Sequence, residues 1–321
     1  MTLSHLSERI FLNLIRAPKN QLTIWELSRR CGYFKNVIAE VEKLKKQNLL
    51  DLQNSSVKLK NKKLLPQYLF KKNRPLSSVI SDFKKYATRA RFDSLKYDQL
   101  SLSPSGIKNK LSSLIHNGDL LNRRVLCLGD DDLMSVACSL TRLPAKISVF
   151  EAEMSVIKFL KSTSPRLPIP IQVIKLNLLN SIPKNHGGYY DTIITEPPET
   201  IAGTLLFANR GIKCLKKEGV LYLGITENTL SKESWRIIES TLTDWGLVIT
   251  DILRNYEEYS LEKNLSRSWK DAEKLPPWIT KPSKYPWFVS TLIRAELIQK
   301  SKLPVFKIKK PNQDLSSKLL N

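Results

Sequence analysis

The chain has 321 residues, 41% of them hydrophobic, and its 52 Lys and Arg against 30 Asp and Glu give a net charge of +22. This composition excludes a disordered or collagen-like chain and suffices for one large domain with a smaller one. No run of about eighteen apolar residues and no cleavage-site pattern occurs, so we expect a cytoplasmic protein without a membrane partner. No C-x-x-C spacing relates its four cysteines, which favours a reduced compartment and no metal site.

The N-terminal part carries most of the excess charge, because residues 1–97 contain 21 Lys and Arg against 7 Asp and Glu. Apolar residues at helical spacing predict helices over 5–16, 24–30 and 34–48. Two short β-like segments follow, at 49–53 and 56–59. Three helices and a small hairpin indicate a winged-helix domain over residues 1–65.

The lysines of this domain leave its role open. A winged helix can place its third helix in a DNA groove, and lysines on that helix and on the hairpin suit phosphate contacts. The same lysines also suit a solvated face of a domain used for dimerisation. We therefore expect a homodimer and keep nucleic acid as an alternative partner of the basic N-terminal unit.

Residues 66–97 have the pattern of a linker that ends in an amphipathic helix, and strands alternate with helices from residue 98. The predicted elements are helices at 104–116, 131–141, 154–162, 199–215 and 231–244 and strands at 124–128, 146–150, 171–175, 190–195, 219–225, 246–254 and 286–297. This alternation predicts an α/β fold with a Rossmann-like, methyltransferase-type sheet over 98–302 and right-handed crossovers. Trp245-Gly246 is predicted to start a final antiparallel hairpin, and residues 303–321 form a basic tail.

The strongest local pattern is the strand RVLCL at 124–128, which stops at Gly129 and is followed by Asp130, Asp131 and Asp132. A sheet of this class binds its ligand outside the carboxyl end of such a strand. A dinucleotide-binding loop would have glycines here, so that backbone N–H groups could approach a pyrophosphate. Three carboxylates repel phosphate and attract amines or sulfonium.

Residues at the ends of other strands are further candidates for binding the ligand. Glu151 follows the second strand and suits two ribose hydroxyls, and Asn177 follows the third and could accept from an adenine amino group. The fourth strand leads into Glu196-Pro197-Pro198-Glu199, where two prolines stiffen the turn. Amino-group methyltransferases have a base-stacking aromatic where this chain has Glu199. The carboxylate there favours an aliphatic amine as acceptor.

GDDDL and EPPET together resemble the N4-bis(aminopropyl)spermidine synthase family of branched-chain polyamine synthases. Tyr97-Asp98-Gln99, Gly224-Ile225-Thr226 and ITDILRNYEEY at 249–259 extend the resemblance over essentially the whole chain. It implies a winged-helix domain before a Rossmann domain. It also implies transfer of an aminopropyl group from decarboxylated S-adenosylmethionine, a co-substrate, to a spermidine-type nitrogen, with release of 5′-methylthioadenosine and no prosthetic group.

The resemblance also implies roles for individual residues. Asp131 would orient and deprotonate the attacking amine, with Asp130 and Glu196 in the same catalytic group. The proposed substrate-binding residues are Asp132, Glu199, Asp98, Gln99, Glu257 and Glu258, the last two in a loop at 256–285 over the cleft, and the proposed cofactor-binding residues are Gly129, Glu151 and Asn177. The chain departs from the family's residues at Glu196, Asn177 and Ser105.

Two other functions fit parts of the sequence. A nucleic-acid methyltransferase using intact S-adenosylmethionine would use the basic N-terminal unit to hold its substrate, but it needs an aromatic where Glu199 stands. A non-catalytic DNA-binding or regulatory relative would keep the fold and bind DNA with strong salt dependence.

Overall fold

A computed structural model of the chain describes residues 3–90, 92, 102–226, 230–259, 288–299 and 303–304. The chain divides into two compact units. Unit 1 contains the residues up to Asn73 together with Ile115–Leu121. Unit 2 contains Arg74–Leu114 and the residues from Asn122 onward.

Unit 1 combines three helices with a small antiparallel sheet of order β1-β3-β2. Its elements are α1 (His5–Arg16), β1 (Gln21–Thr23), α2 (Ile24–Cys31), α3 (Phe34–Lys46), β2 (Leu50–Gln53) and β3 (Ser56–Leu59). Each helix buries one apolar stripe, with Ile10, Leu27 and Val37 fully buried, because residues three or four apart lie on the same helix face. Asn54 and Ser55 turn the β2–β3 hairpin with φ of 49° and 61°.

A capping box fixes the start of α2. The Thr23 hydroxyl accepts from the Glu26 N–H at 3.2 Å, and the Glu26 carboxylate accepts from the Thr23 N–H at 2.8 Å. Two of the N–H groups at the start of the helix thereby gain partners that the helix itself does not supply.

Unit 2 is built on a seven-stranded sheet of order β6-β5-β4-β7-β8-β10-β9. Its helices are α4 (Leu76–Ala87), α5 (Pro104–His116), α6 (Met134–Thr141), α7 (Met154–Thr163), α8 (Ile201–Cys214) and α9 (Lys232–Asp244). Its strands are β4 (Arg124–Leu128), β5 (Lys146–Glu151), β6 (Ile171–Lys175), β7 (Tyr190–Thr195), β8 (Leu215–Thr226), β9 (Leu247–Glu258) and β10 (Val289–Leu297).

In this sheet the strands from β4 to β8 pair in parallel, and β10 is antiparallel to its neighbours β8 and β9. The predicted α/β class with a mostly parallel sheet is therefore confirmed. Strands β5 and β6 lie on one side of β4, and the chain then crosses to place β7 on its other side. The order of the strands therefore switches sides at β4. Leu128 at the end of β4 pairs with Phe150 and Thr195, so three strand ends meet where such sheets bind ligands.

The structure corrects two predicted boundaries that concern the acidic residues. Helix α6 begins at Met134 rather than at residue 131, since Leu133 has a left-handed φ of 60° and the aspartates form a loop. Strand β9 continues to Glu258, so Glu257 and Glu258 lie in a strand and not in an irregular loop. A buried glutamate interrupts the alternation that would have predicted this strand. The remaining loop residues, 260–285, lie outside the described residues.

Within the part of the chain that the structure describes, no helix is both long enough and apolar enough to cross a bilayer.

Substitution of Thr23 by alanine should lower the free energy of unfolding by about 1 kcal/mol, because the first turn of α2 loses its side-chain acceptor. Denaturant unfolding followed by circular dichroism measures the change. Thr23→Ser is the matched control and should remain close to the wild-type midpoint. Equal midpoints for Thr23→Ala and wild type would contradict the role of the cap.

Candidate active site

The loop after β4 is held by the first of its three aspartates. Gly129 has a φ of 71°, a conformation that favours glycine, and its N–H donates to the Phe150 carbonyl at 2.9 Å. The Asp130 carboxylate is 1% exposed and accepts from both the N–H (2.9 Å) and the hydroxyl of Ser135. Asp130 thus fixes the loop onto the start of α6.

Glu151 secures the same loop from the end of β5. Its carboxylate accepts from the N–H groups of Asp130 at 2.9 Å, Ala152 at 2.7 Å and Glu153 at 2.8 Å. Burial raises the pKa of Glu151, although these backbone hydrogen bonds oppose the shift. The side chain lies at the predicted strand end, and its main contacts are with the backbone of the two loops.

The acid-Pro-Pro turn lies at the next strand end. The Thr195 hydroxyl donates to the Leu128 carbonyl at 2.8 Å, which ties the end of β7 to the end of β4. Past the prolines, Glu199 accepts from the Thr226 hydroxyl at the end of β8 at 2.6 Å. The turn is therefore attached to both neighbouring strands.

A lysine that the sequence analysis did not identify lies at the centre of the acidic residues. Lys110 of α5 is 1% exposed, and its ammonium contacts the carboxylates of Asp132 at 3.8 Å, Glu257 at 3.0 Å and Glu196. These carboxylates come from the loop after β4, the end of β9 and the end of β7. We call Lys110, Asp132, Glu196 and Glu257 the ion cluster.

Two hydroxyl groups support the ion cluster. The Tyr259 hydroxyl donates to the second oxygen of Glu196 at 2.7 Å, and the Ser290 hydroxyl of β10 donates to Glu257 at 2.7 Å. Gly224 of β8 leaves room for these carboxylates, because a Cβ there would lie 2.8 Å from the Glu257 Oε2 atom. Both oxygens of Glu196 are thus engaged by the protein itself.

The sequence around Lys110 contains a pattern that indicates a buried lysine. Ile107, Lys110, Leu111 and Leu114 follow one another at helical spacing, and all four are at most 1% exposed. A lysine on an otherwise apolar, core-facing stripe requires a buried negative partner. Tyr259 and Ser290 carried no comparable signal, since their contacts depend on how β9 and β10 pair.

Burial and mutual repulsion shift the acids of the site. Burial, followed by the charge of Glu196, raises the pKa of Asp132 to about 7, and burial raises the pKa of Glu257 to about 7. Burial lowers the pKa of Lys110, but the three carboxylates outweigh this effect and the net shift is upward. Lys110 therefore stays protonated, and the repulsion among its partner carboxylates disfavours their simultaneous ionisation.

Asp131 differs from its two neighbours. It lines a cleft together with Gly129, Asp132, Ile194 and Glu196. Among the described residues, no side chain or backbone group of another residue forms a hydrogen bond or ion pair with its carboxylate. Burial, and then the charge of Asp132, raises the pKa of Asp131 well above its usual range. A raised pKa makes the ionised carboxylate a stronger base, and it also lowers the fraction of Asp131 that is ionised at neutral pH.

The other predicted site residues are more dispersed. The Glu258 carboxylate accepts from the Ser105 hydroxyl at 2.6 Å, next to the start of α5. Asn177 is exposed, and its side chain accepts from the Leu179 N–H at 3.0 Å. Asp98 and Gln99 lie outside the described residues. Within the described ranges, no group of His, Cys, Asp and Glu side chains has an arrangement that could hold a metal ion.

The mostly parallel seven-stranded sheet, with helices between its strands, defines a Rossmann-like α/β fold. A solved candidate RNA methyltransferase from Pyrococcus horikoshii has a TM-score of 0.51 at 15% identity, covering 69% of this chain and 100% of that one. This likeness extends to the fold alone.

The sequence identifies the family. Residues 78–318 match the branched-chain polyamine synthase A C-terminal domain, and the chain belongs to the branched-chain polyamine synthase family. The N(4)-bis(aminopropyl)spermidine synthase of Methanocaldococcus jannaschii is 36% identical over 230 residues, which cover 70% of this chain and 64% of that protein. The aligned part thus spans less than two thirds of the relative's length.

A solved structure supports the same fold. The branched-chain polyamine synthase of Thermus thermophilus, in complex with N4-aminopropylspermidine and 5′-methylthioadenosine, has a TM-score of 0.64 at 23% identity. The match covers 95% of this chain and 90% of that one.

The ion cluster should give the protein a characteristic dependence of stability on pH. Glu257 titrates near pH 7 in the folded protein, against a value of about 4 in an unfolded chain. Between these values the unfolded chain has released a proton that the folded protein keeps, so this group lowers the free energy of unfolding as pH rises. Glu257→Gln should remove that contribution.

The measurement is denaturant unfolding of wild type and Glu257→Gln across this pH range. Carboxylates with a lowered pKa, such as Asp191, act in the opposite direction, so the result is read as the difference between the two proteins. Wild type should lose stability relative to Glu257→Gln as pH rises from about 4 to about 7. Glu233→Gln, at an exposed site on α9, is the control. A difference in stability between wild type and Glu257→Gln that does not change with pH would contradict the raised pKa of Glu257.

Proposed function

We propose that the chain transfers an aminopropyl group from decarboxylated S-adenosylmethionine to a secondary nitrogen of a spermidine-type polyamine. The products would be a branched polyamine and 5′-methylthioadenosine. The observation that carries this proposal is the acidic cleft at the sheet's carboxyl edge, with Asp131 facing it, in a chain of this family. Negative walls suit a polycation and a sulfonium, both of which carry positive charge.

The chemistry requires removal of one proton. An amine with a pKa near that of lysine, about 10.4, is almost entirely protonated at neutral pH and cannot attack. In the proposed step, the Asp131 carboxylate takes the proton and the nitrogen lone pair attacks the aminopropyl carbon bound to sulfur. The C–S bond breaks, its electron pair goes to sulfur, and the neutral thioether leaves.

The contacts of the other acids support distinct roles. Asp130 already accepts two hydrogen bonds from Ser135, so we assign it the task of positioning the loop that carries Asp131. Asp132 and Glu199 would bind the flanking ammonium groups. Glu151 and Asn177 keep their proposed roles toward ribose and adenine, and Gly129 allows the co-substrate to approach the loop backbone.

Asp131→Asn should reduce kcat about 10²–10⁴-fold, because the amide cannot accept the proton. Mass spectrometry of products formed from spermidine and decarboxylated S-adenosylmethionine measures the transfer, and circular dichroism checks the fold. Glu233→Gln serves as the control outside the cleft. Undiminished turnover in Asp131→Asn would refute Asp131 as the base, and methyl transfer from intact S-adenosylmethionine would favour the methyltransferase alternative.

A second candidate function concerns unit 1, which we propose to be a winged-helix domain over residues 1–65 with the β2–β3 hairpin as its wing. Trp25 is 62% exposed and stacks on Phe34 with ring centroids 5.1 Å apart and an interplanar angle of 5°. Arg29, Arg30 and Lys35 are exposed on the same two helices. An aromatic platform beside cations is suited to nucleic-acid bases and phosphates.

Trp25→Ala should weaken binding of a single-stranded oligonucleotide by about 1–3 kcal/mol, the usual contribution of one stacked base. Fluorescence anisotropy with the full chain measures it, over a salt series. Phe70→Ala, which removes a partly exposed aromatic elsewhere in unit 1, is the matched control. No binding at low salt, or equal losses in both variants, would contradict this function.

Four further predictions complete the proposal. The homodimer is testable by light scattering, and the cytoplasmic location by fractionation. The linker over 66–97 and the tail over 303–321 lie partly outside the described residues and stay predictions.

A further inference from the structure

The ammonium group of Lys110 occupies a position that has the chemistry of a substrate site. Three carboxylates from separate elements contact it, and its own side chain is 1% exposed. A free alkylammonium in the same place would meet the same oxygens. Lys110 therefore fills with a tethered cation what would otherwise be an ammonium-binding position.

The backbone around Lys110 is attached to the strand that carries Glu257. The Ser103 N–H donates to the Glu258 carbonyl at 2.7 Å, and the Asn109 amide donates to the Tyr256 carbonyl at 2.8 Å. These bonds attach the first turns of α5 to β9 on both sides of Glu257. Gly106 makes the approach feasible, because a Cβ there would lie 2.6 Å from the Glu258 carbonyl oxygen.

The charges of the ion cluster explain why a cation is needed. Asp132, Glu196 and Glu257 would repel one another if they were ionised without a counter-ion. Near neutral pH Asp132 and Glu257, each with a pKa of about 7, are only partly ionised. The negative charge of the three carboxylates together still exceeds the single charge of Lys110, so the site remains negative toward an incoming polyammonium. A single fixed cation thus keeps the carboxylates together without neutralising the cleft.

Building on the proposed function, we propose that Lys110 is a positioning and specificity-determining residue that permanently occupies one ammonium position of the acidic cleft. It holds Glu196 and Asp132 in place beside Asp131. It also occupies a position at the carboxylates where an ammonium group of a substrate would otherwise bind. The cleft therefore accepts an amine with one ammonium group fewer than its carboxylates alone would bind.

The direct test restores the missing cation from solution. Lys110→Ala keeps Cβ and removes Cγ, Cδ, Cε and the ammonium, and n-propylammonium supplies the deleted part. The amine should raise the Tm of Lys110→Ala saturably, and by more than it raises the Tm of wild type, whose cleft keeps its other carboxylates. n-Propanol, which has the same shape without the charge, should give no such rise. An n-propylammonium effect on Lys110→Ala no larger than that on wild type, or an equal effect of n-propanol, would overturn the proposal.

The second arm measures transfer to spermidine. Lys110→Ala should lose roughly 10²-fold in kcat/KM, since a buried charge cluster has lost one partner. n-Propylammonium should recover part of the loss, with an optimum at the alkyl length of the atoms that the substitution deletes. Lys110→Ala without added amine should gain relative activity toward a polyamine with one more ammonium group. A spermidine-to-longer-amine ratio identical to that of wild type would contradict the specificity role.

Three further variants separate this role from a general loss of folding. Lys110→Arg keeps the charge and should retain more activity than Lys110→Met, which keeps much of the shape but not the charge. If Lys110→Ala fails to fold, the double variant Lys110→Met with Glu257→Gln should be more stable than Lys110→Met alone. A double variant that is no more stable than Lys110→Met alone would contradict the cluster. Because the Tm measurement needs no turnover, a wild type without transferase activity would refute the proposed function and leave this inference testable.

Discussion

The organisation of unit 2 depends on the ion pairs between one buried ammonium and three carboxylates. Lys110 comes from α5, before the sheet begins, whereas its partners follow β4, β7 and β9. Each ion would be strongly unfavourable alone in the interior, and removing one partner from such a group leaves an uncompensated charge. The cluster therefore fixes four separate parts of the chain relative to one another and sets the shape of the cleft beside Asp131.

The negative cleft belongs to a strongly basic chain. The net charge is +22, and residues 1–97 carry much of it. Exposed charges more than about 10 Å apart are screened at moderate ionic strength, whereas carboxylates grouped in a low-dielectric cleft act on a ligand at short range. A cationic substrate can thus be bound by the local field even though the net charge of the chain has the opposite sign.

The sequence predicted the sheet well because its strands are apolar runs bounded by clear breaks. RVLCL ends at Gly129, and YDTIIT ends at the Glu-Pro-Pro turn, so strand ends and acidic residues could be located together. Lys110 and the strand position of Glu257 could not be predicted in the same way. A lysine on a helix is normally solvated, and a buried glutamate interrupts the alternation of a strand, so both depend on pairing between distant segments.

The β9–β10 pair completes the cluster from the C-terminal part of the fold. Ser290 of β10 bonds Glu257 of β9, and β10 itself pairs with β8, which carries Gly224. During synthesis the ribosome releases α5 and the first five strands of unit 2 before either of these strands. Lys110 is therefore synthesised well before its partner Glu257. The nascent sheet reaches its final electrostatic balance only when residues 289–297 have emerged and joined it.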